Sequence, residues 1–242
     1  MKLLLTGATG AAGSQILLTA LADPEISSVT VLARRELPSW LTQILPPKSA
    51  LSTVVTDNFT QYDKIDMGAF DACVWALGRS SNGMNEAEYT KLTYDYTLAA
   101  ATAMADARKA QEKAPPRFVF ISGEGADQSE KSMMLFGRIK GRTEAHLLSL
   151  RTPLDVTILR PGYFFPSHPV LREHIRPSMG AVIKDATLGS FTRTLFPNYY
   201  TSVEDMAKFA LAAAKGKDKV KEKEGSVGKV FNNKAMRDLR DL

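Results

Sequence analysis

Three glycines at three-residue intervals, Gly7, Gly10 and Gly13 in TGATGAAG, follow an apolar run at the head of the chain and open a helical pattern. Glycine at such positions permits a tight turn and lets the backbone approach a pyrophosphate held on the first turn of a helix. The spacing is GxxGxxG rather than GxGxxG, and its weight comes from standing at the strand-to-helix turn of a leading βαβ unit. At the end of the second apolar run, VLARR puts Arg34 and Arg35 where an NAD-selective site carries Asp or Glu for the ribose 2′-hydroxyl. A carboxylate there repels a 2′-phosphate, whereas a guanidinium pairs with it through two hydrogen bonds, so the expected cofactor is NADP(H). Which arginine makes that contact is left open. Asp57, closing the third run in VVTDNF, is placed to meet the adenine amino group, or else serves turn chemistry alone. Further on, LFGRIKG sets Lys140 four residues after Phe136, one helical turn, so both side chains face one pocket.

These residues need a frame, and the apolar pattern supplies one. KLLLTG, SVTVLAR, STVVTD, DACVWALG, RFVFISG and DVTILRPG are short runs rich in Val, Leu, Ile and Phe, each ending in polar or glycine residues, as buried strands do. Helical segments are expected between them over 10–22, over 85–111 before Pro115 and Pro116, and over 129–150 before Pro153. Alternation at these lengths predicts an α/β, doubly wound, mainly parallel Rossmann-like sheet covered on both faces. After Pro161, residues 162–200 break the rhythm with four prolines and seven aromatics, and read either as a small C-terminal substrate-covering segment or as an irregular cap on a sheet edge. Thr201 or Ser202 then caps a helix through VEDMAKFALAAAK, and VGKVFNN is expected to add a last strand.

With 242 residues, 44% of them hydrophobic, the chain is expected to form a single domain over 1–242. The net charge of +5 sits largely in KGKDKVKEKEGSVGK, where lysines interleave with acids; this predicts a solvated loop and no nucleic-acid partner. One cysteine, Cys73, excludes an intrachain disulfide, and the three histidines show no ligand spacing, so no metal is expected. No apolar run reaches membrane-spanning length, and Met1 leads straight into structure, from which a cytoplasmic location is expected.

GATGAAG, LARRELP, the strand end ALG, ISGEGAD, the lysine of GRIKG, ILRPG and the terminal NNKAMRDL together resemble the atypical short-chain dehydrogenase/reductase superfamily. More narrowly, they resemble its branch containing the human HIV Tat-interactive protein and small fungal NAD(P)-binding proteins. The resemblance implies a Rossmann-like fold with NADP(H) above the glycine loop, held by Thr6, Gly7, Thr9, Gly10, Ala11, Gly13, Arg34, Arg35, Asp57, Leu77, Gly78, Lys140 and Pro161. It also implies a Ser, Tyr and Lys active site, in which a Tyr-x-x-x-Lys phenol gives a proton to a substrate carbonyl and the lysine binds the nicotinamide ribose. Here the tyrosine position holds Phe136, which has no proton to give. The consecutive serines often found after the fifth strand are replaced by Ser122-Gly123-Glu124. The candidates for catalysis are therefore Ser122, Glu124, Lys140 and Tyr163. Three readings follow: a reductase of an apolar or ring-containing small molecule whose acid has moved; a non-redox isomerase or cyclase that keeps NADP(H) as a fixture; and an NADP(H)-sensing binding protein. A small-molecule substrate is expected, and a homodimer or a protein partner is left open.

Overall fold

The computed structural model describes residues 1–47, 50–150, 154–175, 200–217, 226–227 and 229–238. The sheet runs β3-β2-β1-β4-β5-β6-β8-β7, with β1 Lys2–Thr6, β2 Ser28–Ala33, β3 Leu51–Val55, β4 Ala72–Trp75, β5 Arg117–Ile121, β6 Asp155–Arg160, β7 Ser226–Val227 and β8 Val230–Asn232. Every neighbouring pair is parallel except β7 with β8. Leu3 pairs with both Val29 and Ala72, so β1 lies at the centre, between the strand that follows it and one reached only after the chain has built β3. This reversal opens a crevice beyond the carboxyl ends of β1 and β4, the place where doubly wound sheets hold ligands.

The central strands are apolar throughout because both their faces are covered. On one face Leu3, Leu5, Val29, Val31 and Val74 pack with α1 (Ala11–Ala22) and α7 (Val203–Ala214). On the other, Leu4, Trp75, Phe118 and Phe120 pack with α4 (Tyr96–Ala110) and Leu147 of α5 (Leu135–Ser149). Ser202 caps α7 by accepting from the Asp205 amide, whereas Thr201 turns its hydroxyl to Asn233, on α8 (Asn233–Asp238).

Several elements differ from the sequence expectation. The helix expected over 85–111 is α3 (Glu86–Thr90), a π-helical turn over Lys91–Asp95, and then α4. The helix expected from 129 begins at 135, because the Asp127 carboxylate accepts from the amides of Ser129 and Lys131 and closes a turn there. Two short helices were not legible, α2 (Ser39–Thr42) and α6 (Pro169–Ile175), and VGKVFNN holds two short strands rather than one. Of the expected covering segment, 176–199 lies outside the described residues.

Candidate functional site

The glycine loop divides its labour. Gly7 has φ +68°, and a β-carbon there would lie 2.3 Å from Ala76 O; one on Gly13 would lie 2.1 Å from Gly7 O. Both glycines thus allow backbone to touch backbone, closing the turn and seating α1 on it. Gly10 is different: its added β-carbon meets nothing nearer than Gly7 O at 3.3 Å. Gly10 also forms the N-cap of α1 without a side-chain hydrogen bond, leaving the amides of the first turn uncapped by any side chain. An exposed glycine at an uncapped helix start is a cradle for a phosphate. Thr6 is fully buried, and its Oγ1 accepts from Leu77 N at 3.1 Å, tying the ends of β1 and β4 at the switch point.

Beyond this loop lies a cleft of about 750 Å³. Of the residues expected from the sequence, Gly10, Ala11, Gly78, Ser122, Glu124, Lys140, Pro161 and Tyr163 line it; Thr6, Gly7, Thr9, Gly13, Arg34, Arg35, Asp57 and Leu77 do not. Arg34 and Arg35 follow β2 and Asp57 follows β3, all exposed at the same edge of the sheet as the glycine loop.

Phe136 lines the cleft, and its position explains a second departure. A β-carbon on Gly123 would stand 2.7 Å from Phe136 Cζ, so the tip of the ring occupies the space that a side chain at 123 would need. An aromatic ring at 136 thus leaves no room for a side chain at 123. One turn along α5, Lys140 is 7% exposed, and its Nζ donates to Ile121 O at 2.8 Å and Ser122 O at 3.2 Å, with the Phe120 ring 5.0 Å away. Burial pulls its pKa down to about 8, against the opposing pull of Glu144. The helix can come this close because of Gly137 and Gly141: β-carbons there would lie 2.8 Å from Gly125 O and 1.8 Å from Asp127 O.

Ser122 lines the cleft, yet its hydroxyl is committed elsewhere. It donates to Glu144, a fully buried carboxylate that also accepts from Gln128 at 2.9 Å and from the Arg160 guanidinium through both Nε and Nη2. Glu124, by contrast, is exposed in the cleft, and partial desolvation raises its carboxyl pKa; Arg160 opposes the rise and Glu144 adds to it. Tyr163 is half-buried on the cleft wall and forms an isolated parallel bridge with Tyr200. Sequence reasoning missed Gly123, Glu144, Arg160 and the two α5 glycines as parts of the site. The i, i+4 glycine pair and the Arg of ILRPG were visible signals; the partnership of Ser122 with Glu144, 22 residues apart, was not.

An uncapped helix start at a topological switch point, a backbone cradle and a buried lysine facing the same cleft define a dinucleotide-binding Rossmann protein. The chain belongs to the NAD(P)H-binding family, whose model matches residues 7–216. It is 29% identical to the protein fmp52, mitochondrial, of Aspergillus clavatus, over 74% of this chain and 71% of that one. It is 31% identical to the protein of the same name from Emericella nidulans, over 72% and 70%. Among solved structures, an oxidoreductase of the short-chain dehydrogenase/reductase family from Burkholderia thailandensis superposes with a TM-score of 0.64 at 16% identity, covering 88% of this chain and 84% of its own. The atypical short-chain dehydrogenase/reductase resemblance and the Rossmann-like fold therefore stand. The cytoplasmic location does not: both fungal relatives carry mitochondrial in their names. A lone cysteine and the lack of a long apolar run do not discriminate between those compartments. No described helix is long and apolar enough to cross a membrane.

Proposed function

We propose that this protein is an NADP(H)-dependent oxidoreductase acting on a carbonyl of an apolar or ring-containing small molecule, with Glu124 supplying the proton that Phe136 cannot. The observation that carries the reading is the pairing of two facts in one cleft. The tyrosine expected at 136 is a phenylalanine whose ring closes on Gly123, where the expected run of serines is broken, while a carboxyl with a raised pKa stands on the adjacent Glu124. A carboxyl whose neutral form is favoured holds a proton closer to neutrality, as a general acid requires.

The glycine loop and the first turn of α1 would hold the pyrophosphate, Arg34 or Arg35 the 2′-phosphate, and Lys140 the nicotinamide ribose. NADP(H), when bound, supplies the hydride. Met134, Phe136, Tyr163 and Phe164 give the cleft an apolar lining suited to a ring. Ser122, held by Glu144, shapes the backbone rather than donating to substrate. The fungal relatives' names support a mitochondrial setting for this chain as well.

NADPH consumption over a panel of aromatic aldehydes and ketones tests the proposal. Glu124→Gln should lower turnover by about a hundredfold or more while leaving NADPH affinity within about twofold. Turnover that survives Glu124→Gln and is lost in Tyr163→Phe would move the acid to Tyr163. Product formed with no NADPH consumed would replace the redox reading with the isomerase or cyclase one.

A further inference from the structure

Lys140 carries more donors than the protein has acceptors for. Its Nζ reaches two backbone carbonyls, Ile121 O and Ser122 O, and no carboxylate stands within ion-pair distance among the described residues. A neutral amine has two N–H groups, which these carbonyls satisfy; an ammonium has three, and the third finds no acceptor in the protein. The charged groups around it do not alter this count. On its own helix, Glu144 is engaged by Ser122, Gln128 and Arg160. Arg160 of β6 faces that same carboxylate, Glu124 on the β5 loop and Arg79 on the β4 loop line the cleft without bonding to Nζ, and the Phe120 and Phe136 rings at 5.0 and 6.0 Å give the cation only a diffuse contact. Lys140 itself lines the cleft, so an oxygen arriving there can complete the set.

We propose that the cleft takes up its dinucleotide together with a proton, and that Lys140 Nζ receives it, because a ligand oxygen supplies the third acceptor that the protein withholds. The step forms one N–H bond on Nζ, with the proton drawn from solvent, and breaks none in the dinucleotide. In the free protein the amine is poised near neutral, consistent with a pKa lowered by burial to about 8. Binding is then favoured by acid and weakened by base, a property separate from whether any hydride is transferred. The inference rests on the dinucleotide occupying this cleft.

The test is calorimetric titration of the full chain with NADPH at pH 8.5 in two buffers of very different ionisation enthalpy, which reads protons taken up per ligand bound. An uptake of about 0.7 proton is expected if the bound amine titrates near its ordinary value, with roughly twentyfold weaker binding at pH 9.5 than at pH 7.5. Lys140→Arg, permanently charged, and Lys140→Met should both remove the uptake. Tight binding by the parent with no uptake, meaning that the amine accepts a hydroxyl proton instead, would overturn the proposal. So would an uptake unchanged in both variants. Should the variants fail to fold, lysine side-chain resonances of the parent at pH 8.5 decide it: one lysine must pass from amine to ammonium on adding NADPH. No binding at all by the folded parent would instead remove the assignment of the cleft to a dinucleotide.

Discussion

The contact between Gly123 and Phe136 can be tested by rebuilding it. Gly123→Ser alone forces a β-carbon to within 2.7 Å of Phe136 Cζ, and overpacking of this kind should cost about 1 to 3 kcal/mol in a denaturant titration. Phe136→Tyr alone extends the ring from the same atom toward position 123, where no side-chain hydroxyl is present. The two changes together press the added serine against the tyrosine hydroxyl, so the double variant should lose more stability than the sum of the two single losses in the same titration. Strict additivity of the two losses would show that the positions are not in contact. Lys140 yields a second residue-scale expectation. Its pKa is about 8 in the folded chain against an ordinary 10.5, so between those values the unfolded chain binds more protons and folding stability rises with pH. The rise should reach about 3 kcal/mol at most across that window and be absent in Lys140→Met, measured by denaturant unfolding at pH 8 and 10.5.

A different separation holds among the glycines that join elements. Gly7 and Gly13 stand where backbone meets backbone, so Gly13→Ala should lower stability by about 1 to 3 kcal/mol, read as a fall in denaturation midpoint. Gly10 faces open space, so Gly10→Val should leave the chain folded and abolish dinucleotide binding. A folded Gly10→Val variant that binds NADPH as well as the parent would mean that the phosphates lie elsewhere. These element-level roles were partly legible in the sequence: fully buried strands such as KLLLT and RFVFI show as unbroken apolar runs, and the glycine spacing marks the loop. The start of α5 was not, because a side chain, Asp127, and not a proline or glycine, holds the preceding turn. Nor was the commitment of Ser122 to Glu144, because α5 comes back against β5 only once Gly137 and Gly141 let it pack on the loop ahead of it. Local pattern reads backbone conformation well, whereas the partner of a hydroxyl depends on which distant residue the packing delivers.

At the scale of the whole molecule, the sheet order places the glycine loop, the ends of β2 and β3, and the α5 lysine on one edge, so a single dinucleotide would bridge groups more than a hundred residues apart in sequence. Binding should therefore stabilise the fold as a unit, raising the melting temperature with NADPH concentration as linkage requires. The central claim is narrower, that this edge is built for a 2′-phosphate by Arg34 or Arg35 where an acidic residue is absent. Its most direct measurement is parallel calorimetric titration of the full chain with NADPH and NADH, repeated with Arg34→Ala and Arg35→Ala. The prediction is that NADPH binds about ten- to a hundredfold more tightly than NADH, and that one of the two substitutions removes most of that difference while sparing NADH. Equal affinity of the parent for the two nucleotides, or a preference for NADPH untouched by either substitution, would contradict it.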